Sequence, residues 1–266
     1  IVQKIEAQNL QHFQYGTAAA KTLTLSFWVR ATKTGTSCVT VSKNDSTQYN
    51  YVAEFTINAS DTWEHKTITI EPNSDIKAAS GAIVNDNELG MQVIFILGYG
   101  SNYTGGTANA WNDSADFATT NQVNHMDSTS NDFYITGVQL ELGTEATPFE
   151  HRSFGQELAL CQRYYLSSYS AGQTPGVSTS NINSQLVTGW TDGNCPFPPF
   201  STTMRAAPAV TLRPRSSNTT GQVDNGGTNR NATATEIGSK GVSYIAVTSG
   251  TGGQYNGFSY ECDAEL

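Results

Sequence analysis

The residues with the plainest chemistry lie in Gly98-Tyr-Gly-Ser-Asn-Tyr-Thr-Gly-Gly-Thr-Ala-Asn-Ala-Trp-Asn-Asp-Ser-Ala-Asp-Phe117, where aromatic rings are set among small polar side chains. Aromatic faces stack on the C–H faces of sugars, and nearby Asn and Asp side chains exchange hydrogen bonds with hydroxyls. Tyr99, Tyr103 and Trp111 would form such a platform. The segment joins two strand-like runs by far more residues than a hairpin needs. The same rings also suit a compact loop packed on its own domain, and both readings stay open. A second candidate is in the C-terminal half. There Trp190, Tyr255, the Pro196–Phe200 turn and a polar stretch over 216–240 read as long loops suited to adaptable recognition.

Catalysis finds less support. Nucleophilic chemistry needs a base beside Ser or Cys, and the four histidines, His12, His65, His125 and His151, lie in no GxSxG or comparable setting. Glycan cleavage needs two converging carboxylates. Glu54, Glu64, Asp113, Asp116 and Asp127 are candidates, but linear sequence brings no pair together. The turn Asn85-Asp-Asn-Glu88 offers oxygen ligands without calcium-loop spacing, and the four cysteines have no zinc spacing. The expectation is no catalytic residue, no metal and no cofactor. Cys195 and Cys262 are open to a disulfide, with buried free thiols as the default.

Composition narrows the partners. With 14 Lys and Arg against 23 Asp and Glu, the net charge is −9, and the basic residues are scattered. Nucleic acid and anionic membranes need concentrated positive charge, so neither is an expected partner. No apolar run reaches the ~20 residues of a membrane span. The opening Ile1-Val-Gln-Lys-Ile has neither a secretory pattern nor an initiator Met. It reads as fragment-like, with further strands expected upstream.

The elements that must position these residues are strands. In Thr22-Leu-Thr-Leu-Ser-Phe-Trp-Val-Arg30 the residues Leu23, Leu25, Phe27 and Val29 share one face, and Thr24, Ser26, Trp28 and Arg30 the other. Similar runs cover 38–41, 51–57, 66–70, 91–97 and 133–142, then 185–190, 209–212, 242–247 and 257–261. Strands so spaced predict a β-sandwich, not a parallel α/β fold. One helix is expected, beginning at Ser153 with Gln156 as its capping-box partner and Phe154, Leu158, Cys161 and Tyr165 near one face. The expected fold is therefore all-β, with two β-sandwich, jelly-roll-like domains joined by one short helix: residues 1–152 and residues 153–266.

Three of these runs, Leu23-Thr-Leu-Ser-Phe-Trp-Val-Arg30, Thr62-Trp-Glu-His-Lys-Thr-Ile-Thr-Ile70 and Phe133-Tyr-Ile-Thr-Gly-Val-Gln-Leu-Glu-Leu142, resemble the jelly-roll of carbohydrate-binding modules. Thr136-Gly137 stands where that family has an acidic pair. Ile5-Glu-Ala-Gln-Asn-Leu-Gln-His12, the stretches from Asp127 and Ala146, Met204-Arg-Ala-Ala-Pro208 and the ending Asp263-Ala-Glu-Leu266 resemble tail-fibre and appendage proteins of marine bacteriophages. That resemblance implies a location on the virion and non-catalytic attachment to a host cell-surface glycan. The partners it implies are that glycan and other virion proteins, and with the avidity of repeated weak sites it points to a homotrimer. The alternatives are a purely structural virion protein, as capsid decoration or fibre shaft, and a polysaccharide depolymerase.

Overall fold

A computed structural model describes residues 1–170, 172–174, 185–215 and 217–266. The fold is all-β, 41% strand and 10% helix, with antiparallel sheets. It divides into two compact units, Ile1–His151 with Leu266, and Arg152–Glu265.

The first unit contains β1 (Val2–Glu6), β2 (Leu23–Ala31), β3 (Gly35–Lys43), β4 (Tyr49–Ile57), β5 (Glu64–Ile70), a one-turn α1 (Ser74–Lys77), β6 (Leu89–Ile96), β7 (Ala110–Asn112) and β8 (Phe133–Leu142). They form a five-stranded sheet, β1-β6-β3-β4-β7, and a three-stranded sheet, β5-β2-β8. The alternation of β2 sends Leu23, Leu25, Phe27 and Val29 into the space between the sheets, where all four are fully buried. There Phe27 meets Phe55 and Phe95 of the opposing sheet edge-on, with centroids 5.1 and 4.9 Å apart. Each such buried side chain stabilises the sandwich by about 1.5–3 kcal/mol. On β5, an end strand, Glu64 and Lys66 lie opposite Val29 and Phe27, on the inward side, and pair with each other at 2.6 Å.

The two outer faces of this sandwich differ. The outer face of the large sheet carries a second apolar layer of Cys38, Val52, Ile94 and Ile96, covered by Phe117 and Ala118 from the long β6–β8 connection. Backbone bonds fix that cover, from Val123 to Thr36 at 2.9 Å and from His125 to Leu97 at 2.7 Å. The outer face of the small sheet is covered over one half only. Thr24 donates to the Gly143 carbonyl at 2.8 Å, and Thr147 donates to Glu141 at 2.6 Å. Thr24 and Ser26 are therefore buried where alternation alone predicts exposure, whereas Trp28 of the same face remains exposed.

The second unit opens with α2 (Phe154–Gln162) and continues with β9 (Tyr165–Ser167), β10 (Gln185–Thr188), β11 (Ala209–Pro214), β12 (Gln222–Asn225), β13 (Thr228–Gly238), β14 (Gly241–Val247) and β15 (Tyr255–Asp263). The strand order is β10-β15-β12-β13-β14, with β9 and β11 also on β15. Its core gathers Leu166, Phe197, Met204, Leu212, Val223, Ile245 and Phe258. Cys195 and Cys262 lie in that core as free thiols, each pushed up to about 12 by burial. The capping box forms: the Gln156 amide N–H donates to Ser153 Oγ at 3.4 Å and the Ser153 N–H to Gln156 Oε1 at 3.1 Å. No residue of α2 is buried, and Phe154 is 78% exposed.

The polar stretch over 216–240 is corrected from loop to hairpin. Apart from residue 216, which lies outside the described residues, most of it forms β12 and β13 around Gly226 and Gly227. Both glycines have positive φ, 60° and 89°, the turn geometry whose twist matches that of the flanking strands.

Candidate functional site

The open half of the small sheet's outer face is built by residue pairs that strand register sets side by side. Arg30 of β2 pairs with Tyr134 of β8, and Trp63 immediately precedes β5. The Arg30 guanidinium carbon lies 4.5 Å from the Tyr134 ring centroid and 5.7 Å from that of Trp63. In the next row His65 lies opposite Trp28, with rings 5.2 Å apart. Phe149, stacked edge-on with His151 at 5.1 Å, borders the same face. Trp28, Trp63, Tyr134 and Phe149 are each 41–45% exposed, which leaves ring area for a ligand.

Gly137 accounts for how Trp28 lies. The β2–β8 register shifts between Ser26 and Trp28, and Gly137 takes φ 58° on the partner strand. A Cβ there would sit 3.4 Å from the indole Cδ1 and 3.9 Å from Phe149. Gly137 thus serves backbone geometry and lets the indole lie close to β8.

The electrostatics of the face centre on Arg30. Among the described residues no carboxylate or carbonyl meets its guanidinium, and its Nε is buried without a partner. The nearby Glu64 carboxyl is engaged elsewhere. Lys66 first, then the backbone and side chain of Asn58 and the Ala59 N–H, hold it at about 2, against the desolvation that raises it. The arrangement offers aromatic faces for stacking and one free cation for an acceptor.

The platform expected from sequence is divided. Tyr99 and Tyr103 do come together, 5.7 Å apart at 45°, and both pack against Phe117 on the cover of the large sheet. Trp111 is not with them. It lies in β7, half-buried and edge-on to Tyr51 and Tyr15, and its Nε1–H donates to the Glu71 carbonyl at 2.9 Å. With Tyr51, Thr69, Glu71, Asn73 and Asn109 it lines an open cavity of about 380 Å³. In the second unit, exposed Trp190 packs against Tyr244 at 5.8 Å, while Tyr255 begins β15 opposite Thr188. The loops around them are tied by Asn225, which accepts from the Thr251 N–H at 2.8 Å and donates to Asn256 at 3.1 Å.

The polar candidates are held within their own surroundings. Glu54 accepts from Thr119 and Asn121, Asp116 from Gly105 and Ser114, and Asp127 pairs with Lys33. In the turn at Asn85–Glu88 the Glu88 N–H donates to Asp86 at 3.0 Å. Among the described residues no group of three His, Cys, Asp or Glu could hold a metal ion. Ser37 and His125 do meet, with Oγ 2.9 Å from Nε2. Both are buried, Nδ1 has no partner, and burial lowers the imidazole below its ordinary range. A substrate cannot reach that hydroxyl.

Sequence reasoning missed Trp28, Trp63, Tyr134 and Phe149 as a site, although the signal was present. Outward positions on or just before three strands, Trp28 and Arg30, Trp63 and His65, and Tyr134, carry large or cationic side chains. Comparison of the chain with protein-family models, with curated proteins and with solved structures finds no match.

Proposed function

We propose that the protein is an attachment module of a bacteriophage tail fibre or similar virion appendage, and that it holds a host cell-surface glycan without cleaving it. The observation that carries this reading is the open aromatic face. Four large rings and one cation share the open half of one sheet's outer face, although the same sandwich covers its other outer face. Exposed aromatic clusters of this kind mark recognition surfaces. Tyr99 with Tyr103, and Trp190 near Tyr255, are secondary contact points on the same reading.

The test is affinity electrophoresis of the full chain against a panel of soluble bacterial polysaccharides, with Trp28→Ala/Trp63→Ala alongside. Retardation of the wild type and its loss in the folded double variant supports attachment through this face. Equal retardation of both removes the face from the proposal, and release of new reducing ends would turn the reading toward a depolymerase.

A structural virion role is the second reading, favoured by α2. Phe154, Leu158 and Cys161 share one face of a helix that buries nothing, as expected of a surface completed by another chain. Three copies of this chain, or one copy and another virion protein, would supply that cover. Light scattering of the full chain at three times 28.6 kDa supports the trimer, and the monomer mass contradicts it.

A further inference from the structure

We infer that the open aromatic face selects acidic saccharides, with Arg30 as the residue that reads the anionic group. The inference rests on the attachment reading and names the ligand class of the same face.

The guanidinium of Arg30 lies over two aromatic rings. Tyr134 and Trp63 approach it at 4.5 and 5.7 Å from their centroids. A guanidinium held over aromatic rings still has N–H edges for in-plane acceptors. In most folded settings a carboxylate or carbonyl of the protein takes those edges. Here none of the described residues does so.

The charged neighbours do not change this balance. On the adjoining strand Glu64 is bonded to Lys66, Asn58 and Ala59 and lies on the inward side of β5, so it does not neutralise Arg30. His65 lies on the same face against Trp28, and His151 against Phe149. The face thus carries an uncompensated cation on a molecule of net charge −9. A neutral sugar would use the rings and leave Arg30 idle. A sugar with an oxyanion uses both, and a carboxylate matches the planar fork of a guanidinium in a bidentate pair.

The shared chemistry is a pyranose that bears an oxyanion, and its source is a uronic-type carboxylate or a sulfate ester. Binding of the full chain to three probes separates these: polygalacturonate, its carboxyl-reduced neutral form, and dextran sulfate. Wild type should bind polygalacturonate at least about tenfold more tightly than the neutral form, the scale of one charge-assisted pair. Arg30→Met should remove that preference, so that the folded variant binds the acidic and neutral forms within about twofold of each other. Arg30→Lys, which keeps charge without the fork, should restore only part of it. A preference for dextran sulfate that Arg30→Met abolishes assigns the sulfate ester as the source.

Equal binding of acidic and neutral polymers by the wild type, lost in Trp28→Ala/Trp63→Ala, overturns the role of Arg30 and leaves the attachment reading intact. An acidic preference that survives in folded Arg30→Met also overturns it. Failure of all three probes to bind, with host-cell binding unchanged in the Trp28→Ala/Trp63→Ala variant, overturns both.

Discussion

The two outer faces of the first unit's sandwich are made from the same kind of strand and meet different ends. On the large sheet the outward residues are Cys38, Val52, Ile94 and Ile96, and the long β6–β8 connection lies over them. On the small sheet the outward residues are Trp28, Arg30, His65 and Tyr134, and the chain after β8 covers Thr24 and Ser26 but only borders these, with Phe149 beside Trp28. Covering a face is therefore within this chain's means. The open half of the small sheet leaves four aromatic rings in water, the place where the proposed attachment puts a ligand.

Substitutions can break or sharpen that contrast. The largest effect is expected under the cover. Ile96→Ala should lower stability by about 2–5 kcal/mol, read by denaturant unfolding, because it truncates a buried side chain between sheet and loop. A loss under ~1 kcal/mol would mean that the cover does not pack as a layer. Trp111→Ala comes next, at about 1–3 kcal/mol, below the cost of a fully buried Trp because the ring is half-buried against Tyr51 and Tyr15. Full stability with impaired glycan binding would return Trp111 to the site.

The cover should also answer to acid. The His125 imidazole is lowered chiefly by burial, then by the Lys33 charge, with Asp127 opposing. The unfolded chain therefore binds the proton more readily, so stability present above about pH 6.5 should fall as pH drops below it. His125→Gln should flatten that limb below about pH 6.5, and an unchanged slope assigns it to another group. The smallest effect belongs to the open face. Trp28→Ala should change stability by no more than about 0.5 kcal/mol while weakening glycan binding. A loss near that of Ile96→Ala would show that the rings support the fold.

Strands with apolar alternation were legible from sequence because one buried face imposes a period of two, as in β2. The start of α2 was legible because Ser153 and Gln156 satisfy each other locally. The β12–β13 hairpin was not, since Asn, Thr and Arg fill it and its turn depends on two glycines whose φ no composition reveals. The candidate site was half legible. Alternation gave Trp28 and Arg30 a common face, but only the pairing of β2 with a strand as distant as β8 sets Tyr134 against Arg30. Trp111 misled for the same reason, because proximity in sequence to Tyr103 did not survive the pairing of β7 with β4.

That distant pairing gives the site a place in time as well as in space. When the chain emerges from the ribosome, β2 and β5 can meet early, but the third column of the aromatic face waits for β8, which pairs Leu142 with Leu23. The strand that closes the face last is also an edge strand of its sheet, held on one side only. A saccharide that spans Trp63 and Tyr134 would then clasp β8 to β5 from outside. Bound ligand should slow amide hydrogen exchange along β8 more than along β3, by the factor its concentration over Kd dictates.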